Sequence, residues 1–194
     1  MSFAVNRVSR VVGLGLAMAL AVSMSSSVTA QALAEPLPTA KPVANVTVEK
    51  VKLYALVTTN NKGVFYTASE SEKQRAIQTH GFSPTDTQLG YISGRPFPGG
   101  KPMWRLKYKL YASYLVTGSP SERDSLVNSG KFVNEGILGY AAASPIAGTT
   151  KIYRLSKKNY GWRLATEAHK DNILAANEGW HVDGPIYYHF TSGE

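Results

Sequence analysis

The chain carries an internal repeat, and this repeat constrains the fold more than any other feature of the sequence. Three segments align with one another, residues 51–98, 101–150 and 151–190. Each segment opens with an aromatic residue in an alternating apolar stretch and closes on a tyrosine: Tyr54 and Tyr91, Trp104 and Tyr140, Tyr153 and Tyr188. Units of this size cannot each bury an apolar face alone, so we expect the three segments to share one core.

Each segment begins with the pattern of a β-hairpin. Two short apolar runs flank polar turn residues, which are Thr59–Gly63 in the first copy and Lys157–Gly161 in the third. Apolar runs separated by a short polar turn are typical of two antiparallel strands. A final strand that ends in the closing tyrosine completes each unit.

A short helix is predicted between each hairpin and the final strand. Ser69 with Glu72 and Ser119 with Glu122 form capping boxes, in which the serine accepts a backbone hydrogen bond and the glutamate reaches back. The third copy has Thr166 followed by a histidine, so its box is incomplete. Glycines that can adopt positive φ follow each predicted helix, at positions 81, 130 and 179.

These patterns predict an α+β domain of three pseudo-symmetric hairpin–helix–strand repeats that share one core. The alternative is a β-trefoil, in which three copies of similar length also close on themselves and the capped segments are loops.

An N-terminal leader precedes the repeats. Arg7 and Arg10 are followed by an apolar run at 11–22 and by small residues up to Ala30, which is the order of a secretory signal peptide over residues 1–30. Cleavage is expected after Ala30 or after Ala34, and a retained N-terminal anchor is the other interpretation. Residues 31–45 contain three prolines and predict a linker, and residues 46–194 form the single repeat domain. No later segment is long and apolar enough to span a membrane.

The sequence contains no recognisable catalytic or metal-binding pattern. It has no cysteine, which excludes a thiolate nucleophile and a zinc ribbon, and we predict no catalytic residue, metal site or cofactor. The four histidines are expected at the surface or at helix ends. Glu135 and Asp183 each precede a glycine at equivalent repeat positions, which favours a structural turn over an acid–base pair.

The aromatic residues divide into two groups. The first is expected to fill the core and consists of Tyr54, Phe82, Trp104, Phe132, Tyr153 and Trp180. The second alternates with lysines in the middle hairpin and its counterpart, and we predict it as a ligand-binding surface: Tyr108, Lys109, Tyr111, Tyr114 and Tyr160. Aromatic faces beside cations suit sugar rings and anionic polymers. An ordinary amphipathic hairpin with solvated lysines remains the other interpretation.

The repeat resembles an uncharacterised family of secreted bacterial domains whose copies read approximately Y-R-L/F, F-Y-T, S-x-x-E, G-W, E-G and a closing tyrosine. The matching positions are Tyr153-Arg154-Leu155, Phe65-Tyr66-Thr67, Ser69 with Glu72, Ser119 with Glu122, Gly179-Trp180 and Glu135-Gly136, within Val51–Phe190. The family's Asp-His pair is replaced in all three copies, so no role of that pair transfers. The resemblance implies an extracellular accessory module, of the kind found beside secreted hydrolases, with no assigned chemistry.

These observations predict a secreted, non-catalytic binding module, located outside the cell or at the cell wall. The expected ligand is an extracellular glycan or an anionic cell-wall polymer, because the chain carries a net charge of +8. The alternative is a protein-interaction module or an inhibitor that acts on a secreted hydrolase. A hydrolase that uses Glu135 or Asp183 is the third hypothesis, and nucleic acid is not an expected partner of an exported protein.

Overall fold

The computed structural model describes residues 47–159 and 161–194. The predicted signal peptide (1–30), the predicted linker (31–45) and the candidate site residue Tyr160 lie outside the described residues.

Each of the three segments contains an antiparallel hairpin. The hairpins consist of β2 (Tyr54–Val57) with β3 (Val64–Thr67), β6 (Gly100–Tyr108) with β7 (Tyr114–Thr117), and β9 (Thr149–Lys157) with β10 (Gly161–Thr166). The remaining strands are β1 (Lys50–Lys52), β4 (Ser83–Pro84), β5 (Tyr91–Ser93), β8 (Phe132–Ala142) and β11 (His181–Phe190). A 3-10 turn covers Thr59–Asn61 in the first hairpin.

Three short helices follow the hairpins: α1 (Glu70–His80), α2 (Pro120–Asn128) and α3 (Glu167–Ala175). The predicted serine caps are present, since Ser69 and Ser119 each accept from the backbone N–H three residues on at 3.2 Å. The predicted reach-back of the glutamates is wrong. The Ser69 N–H donates to Thr67 Oγ1 at 3.0 Å instead, and the Glu72 carboxylate turns towards another part of the chain.

The strands form two sheets, and this arrangement overturns the predicted fold class. The larger sheet has eight strands in the order β10-β9-β11-β5-β8-β6-β7, with β1 on β5, and the smaller has the order β3-β2-β4. Strands make up 45% of the structure and helices 21%, in a β-sandwich-like fold. The α+β repeat prediction is therefore wrong, and so is the trefoil alternative.

The helices contribute too little buried surface to define a second layer. Only Ala76 is buried in α1 and only Ile173 in α3, and α2 buries no residue. Capping signals report where a helix begins, but they carry no information on how much of the core that helix supplies. The long strands β8 and β11, which pair with β6 and β9, decide the architecture.

The first segment departs from the other two in its closing strand. Where they have one long strand, it has the two short strands β4 and β5, separated by residues 85–90. Pro84 lacks an N–H for a strand ladder, so β4 ends after two residues. The first hairpin is consequently paired in the small sheet, while the other hairpins join the large one.

The central core draws on all three segments. It is built around Tyr66, Ile92, Met103, Val116, Ile152, Leu164 and Tyr187. Four of the six predicted core aromatics are buried: Phe82, Trp104, Phe132 and Trp180. Tyr54 and Tyr153 are half-buried and pack at the edges of smaller core clusters, with the ammonium groups of Lys73 and Lys170 over their rings at 4.5 and 5.0 Å.

The three hairpin turns meet at Gly63, Ser113 and Gly161. A Cβ atom on Gly63 would lie 2.6 Å from Ser113 Cα, and one on Gly161 would overlap Ser113 Oγ. The Ser113 side chain is fully buried, and its Oγ finds no hydrogen-bond partner among the described residues. Two glycines at this point allow the three backbones to approach one another.

One of the four histidines, His189, lies in the core rather than at the surface or at a helix end. It is completely buried, and its Nδ1 donates to the Leu89 carbonyl at 2.9 Å. Nε2 has no partner within the described part of the chain. Burial disfavours the imidazolium and lowers the pKa of His189 from 6.5 to about 4.

His189 makes the folded state sensitive to acid. The unfolded chain takes up a proton near the ordinary pKa, and the folded chain takes it up only at lower pH, so stability is lost as the pH falls below 6.5. Lowering the pH from about 7 to about 5 should reduce the free energy of unfolding by about 2 kcal/mol. Urea unfolding across this range measures the loss. A His189→Gln variant should lose much less, and an equal loss in both proteins would contradict the prediction.

Candidate functional site

The predicted tyrosine–lysine surface lies at the turn between β6 and β7. Tyr108 ends β6 and Tyr111 lies in the turn, with their ring centroids 5.0 Å apart in an edge-to-face arrangement. Both rings are half-exposed. Lys107 and Lys109 are exposed on either side of Tyr108 in the sequence, so the turn carries both aromatic rings and ammonium groups.

Tyr114 has a different environment from the other tyrosines of this hairpin. Only 6% of the residue is exposed, and its ring packs edge-on against Phe65 with centroids 5.0 Å apart. Burial raises the pKa of Tyr114 to about 12. The ring therefore supports the turn from within the core.

Trp162 packs against this surface, and sequence analysis missed it. Its ring centroid lies 6.1 Å from that of Tyr108 and 5.4 Å from that of Phe132. It is half-exposed on β10. The sequence shows an aromatic residue near the start of the second strand of a hairpin. This local pattern does not reveal that the strand, β10, lies close to β6.

A cavity of about 560 Å³ opens on the other side of the β6–β7 turn. Its lining includes Lys107, Tyr111 and Tyr114 from the hairpin, and His80 and Phe82 from the end of α1 and the segment after it. Tyr111 therefore borders both the aromatic cluster and this cavity. We name the half-exposed rings of Tyr108 and Tyr111, with Lys107 and Lys109, the turn surface.

A buried arginine closes the junction between the first and second segments. Arg105 donates to both Glu72 oxygens at 2.8 and 3.0 Å, to Glu135 at 2.8 Å and to the Tyr66 carbonyl at 2.6 Å. Its side chain is 11% exposed. Hydrogen bonds from Arg105 hold the pKa of the Glu72 carboxyl below its ordinary value.

The same arrangement recurs between the second and third segments. Arg154 donates to both oxygens of Glu122 at 2.8 and 3.0 Å, and to Asp183 at 2.8 Å. It also donates to the Val116 carbonyl at 3.3 Å. Glu135 and Asp183, which sequence analysis assigned to structural turns, thus each bind an arginine, and we name the two arrangements the arginine clamps.

The junction between the third and first segments lacks such a clamp. Ala55 stands at the position that aligns with the two arginines, and the cavity beside it measures about 380 Å³. Tyr66 spans part of this junction, since its hydroxyl accepts from the Leu164 N–H at 2.8 Å.

Across residues 47–159 and 161–194, no group of three or more metal-ligating side chains converges. In the same part of the chain, no helix combines the length and apolarity that a bilayer span requires.

Comparison with known proteins identifies the family. A search of curated proteins and a search of solved structures found no match to this chain. The family model described as "Domain of unknown function (DUF5648)" matches residues 52–190, which cover the three segments except Val51 and include both arginine clamps. The chain therefore belongs to the DUF5648 family.

Proposed function

We propose that the protein is a secreted, non-catalytic module that binds acidic carbohydrate of the cell envelope or the extracellular space. The paired half-exposed rings of Tyr108 and Tyr111 support this proposal above all other features. Sugar rings stack their C–H faces on aromatic rings, and ordered aromatics lose little entropy on binding. The leader at residues 1–30 supports the extracellular location.

The charge of the turn surface favours an acidic polymer over a neutral one. Lys107 and Lys109 are exposed on either side of Tyr108, and Lys107 and His80 also line the adjacent cavity. Exposed ammonium groups attract carboxylate or phosphate groups, and added salt screens this attraction.

Removal of the Tyr111 ring is expected to weaken binding to polygalacturonate about tenfold, equal to about 1.4 kcal/mol. Tyr111→Leu keeps the apolar bulk of the turn and removes the stacking face. Affinity electrophoresis of the protein through gels that contain polygalacturonate or dextran measures the effect. Dextran is uncharged, so it should retard the protein less.

The contribution of Lys109 to polygalacturonate binding can be measured against a matched lysine variant. Lys109→Ala should weaken retardation by polygalacturonate, and the effect should shrink as salt is added. Lys52→Ala removes an exposed lysine on β1, which pairs with β5 and not with the β6–β7 hairpin, and should have little effect. Equal effects of the two variants, or full retardation of Tyr111→Leu, would remove the turn surface from the proposed site.

A protein partner is the second candidate, and one observation favours it. Leu110 at the tip of the turn is 78% exposed, and an apolar tip fits a protein surface better than a hydrated polymer. If the partner is a protein, the unsubstituted protein should co-purify with a secreted protein from culture supernatant and should not bind polygalacturonate. Leu110→Ser should then abolish the co-purification.

A further inference from the structure

The junction without a clamp retains the geometry from which the two arginines project. Arg105 pairs directly with Val116 across its hairpin, and Arg154 pairs with Leu164. Ala55 pairs in the same way with Tyr66. Directly paired residues of antiparallel strands project to the same face, so the Ala55 methyl group lies where a third guanidinium-bearing side chain would begin.

The positions of the acidic partners also align. Glu135 and Asp183 each lie five residues before a closing tyrosine, and Asp86 lies five residues before Tyr91. The second partners, Glu72 and Glu122, lie three residues after a helix cap. His169 occupies that place after Thr166.

Ala55, Asp86 and His169 all line the cavity of about 380 Å³. We name this cavity the third-junction cavity. Asp86 is exposed, and its carboxylate makes no hydrogen bond or ion pair with any described residue, whereas Glu135 and Asp183 are both held by arginine. The third junction thus keeps one carboxylate and lacks the cation that its two counterparts contain.

Tyr66 and Arg163 also line the cavity, but neither binds Asp86 as the clamp arginines bind Glu135 and Asp183. The Tyr66 hydroxyl is engaged with the Leu164 N–H, and the ring packs in the central core. Arg163 precedes Leu164 on β10 and therefore projects to the opposite face of the strand. Its guanidinium lies 5.1 Å from the Trp180 ring centroid, a cation–π contact, and it forms no ion pair with Asp86 although both residues line the cavity.

We propose that the third-junction cavity binds a guanidinium group, in the form of an arginine side chain. The two arginine clamps show how this fold accommodates a guanidinium between a strand, a helix start and an acidic loop. Asp86 supplies the carboxylate, and the imidazole of His169 supplies a second hydrogen-bonding group. The planar fork of a guanidinium suits two partners on different elements better than an ammonium does. This binding is independent of the turn surface, which lies on a different hairpin.

The proposal is tested by NMR titration of the full chain with methylguanidinium, and with methylammonium as the matched cation. We expect saturable shifts at the amides of Ala55, Asp86 and His169 with methylguanidinium, and roughly tenfold weaker binding of methylammonium. Free arginine and N-acetylarginine amide distinguish the two sources of the group, an amino acid and a peptide. Equal affinity for the two cations, or no saturable shift, would overturn the proposal.

Two variants locate the site. Asp86→Asn should weaken methylguanidinium binding roughly tenfold, and Asp171→Asn, which removes an exposed carboxylate outside the cavity lining, should not change it. Equal affinities of these variants would refute the assignment to Asp86. Ala55→Arg places a guanidinium in the cavity and should abolish binding. Because Asp86 is exposed, the Asp86→Asn variant tests the site even where Ala55→Arg disturbs folding.

Discussion

Replacing Arg105 with alanine is expected to lower the free energy of unfolding by about 2–3 kcal/mol. Breaking a fully buried ion pair from one side costs about 3–5 kcal/mol, and solvent screening reduces that cost here because the Glu72 side chain is 37% exposed and the Glu135 side chain 25%. The substitution leaves the carboxylates of Glu72 and Glu135 and the carbonyl of Tyr66 without their shared donor. It also removes the hydrogen bonds that join β6, in the second segment, to the start of α1, in the first segment. Equilibrium urea unfolding at neutral pH measures the loss.

Two further variants establish that the loss comes from the clamp. Arg75→Ala removes an exposed arginine from α1 and should change stability by less than about 1 kcal/mol. Adding Glu72→Ala to Arg105→Ala removes one unpaired carboxylate, so the double variant should be more stable than Arg105→Ala alone. Equal losses in Arg105→Ala and Arg75→Ala would show that the clamp contributes nothing.

The second large effect is expected at the meeting point of the three hairpin turns. Gly161 has φ +101°, and a Cβ atom there would overlap the Oγ atom of Ser113. Gly161→Ala combines a disfavoured backbone conformation with overpacking of a buried site, which together should cost about 3 kcal/mol. Urea unfolding of the variant measures the cost.

Two controls separate the backbone and packing effects at Gly161. Gly148 also has positive φ, at +74°, but a Cβ there meets no atom within 4 Å, so Gly148→Ala reports the backbone effect alone. Ser113→Gly removes the overlapping hydroxyl and should recover part of the loss caused by Gly161→Ala. If Gly161→Ala lowers the free energy of unfolding no more than Gly148→Ala does, the close approach of the turns does not contribute to stability.

Local elements were predictable because their causes lie within a few residues. Ser69 and Ser119 accept from amides three residues away, so a short motif contains the whole interaction. The glutamates of the same motifs were misread, because the arginines and threonines that engage them compete with the expected backbone contact. One of these partners, Arg105, lies 33 residues from Glu72, and a local motif cannot contain it.

At the candidate site, too, the sequence indicated local features but not the contacts between distant segments. Alternating tyrosines and lysines indicated an amphipathic hairpin and led to Tyr108 and Tyr111. The pattern could not separate them from Tyr114, whose burial depends on Phe65 in another segment. Trp162 and the third-junction cavity depend equally on contacts between segments, and for that reason sequence analysis missed them.

The amino-acid sequence by itself determined the hairpins, the helix starts and the glycines that end α1 and α2, since backbone hydrogen bonding and φ preferences act over a single turn. The prediction that Gly179 ends the third helix was wrong, because α3 ends at Ala175 with Ala176 as its cap. Only the tertiary structure decided which strands share a sheet, which tyrosine is buried and where the third arginine is missing. The first segment closes with two short strands on either side of residues 85–90, and its hairpin therefore pairs in a separate sheet. Such choices depend on the apolar surface that distant segments bury together, and no local window of the chain contains both partners.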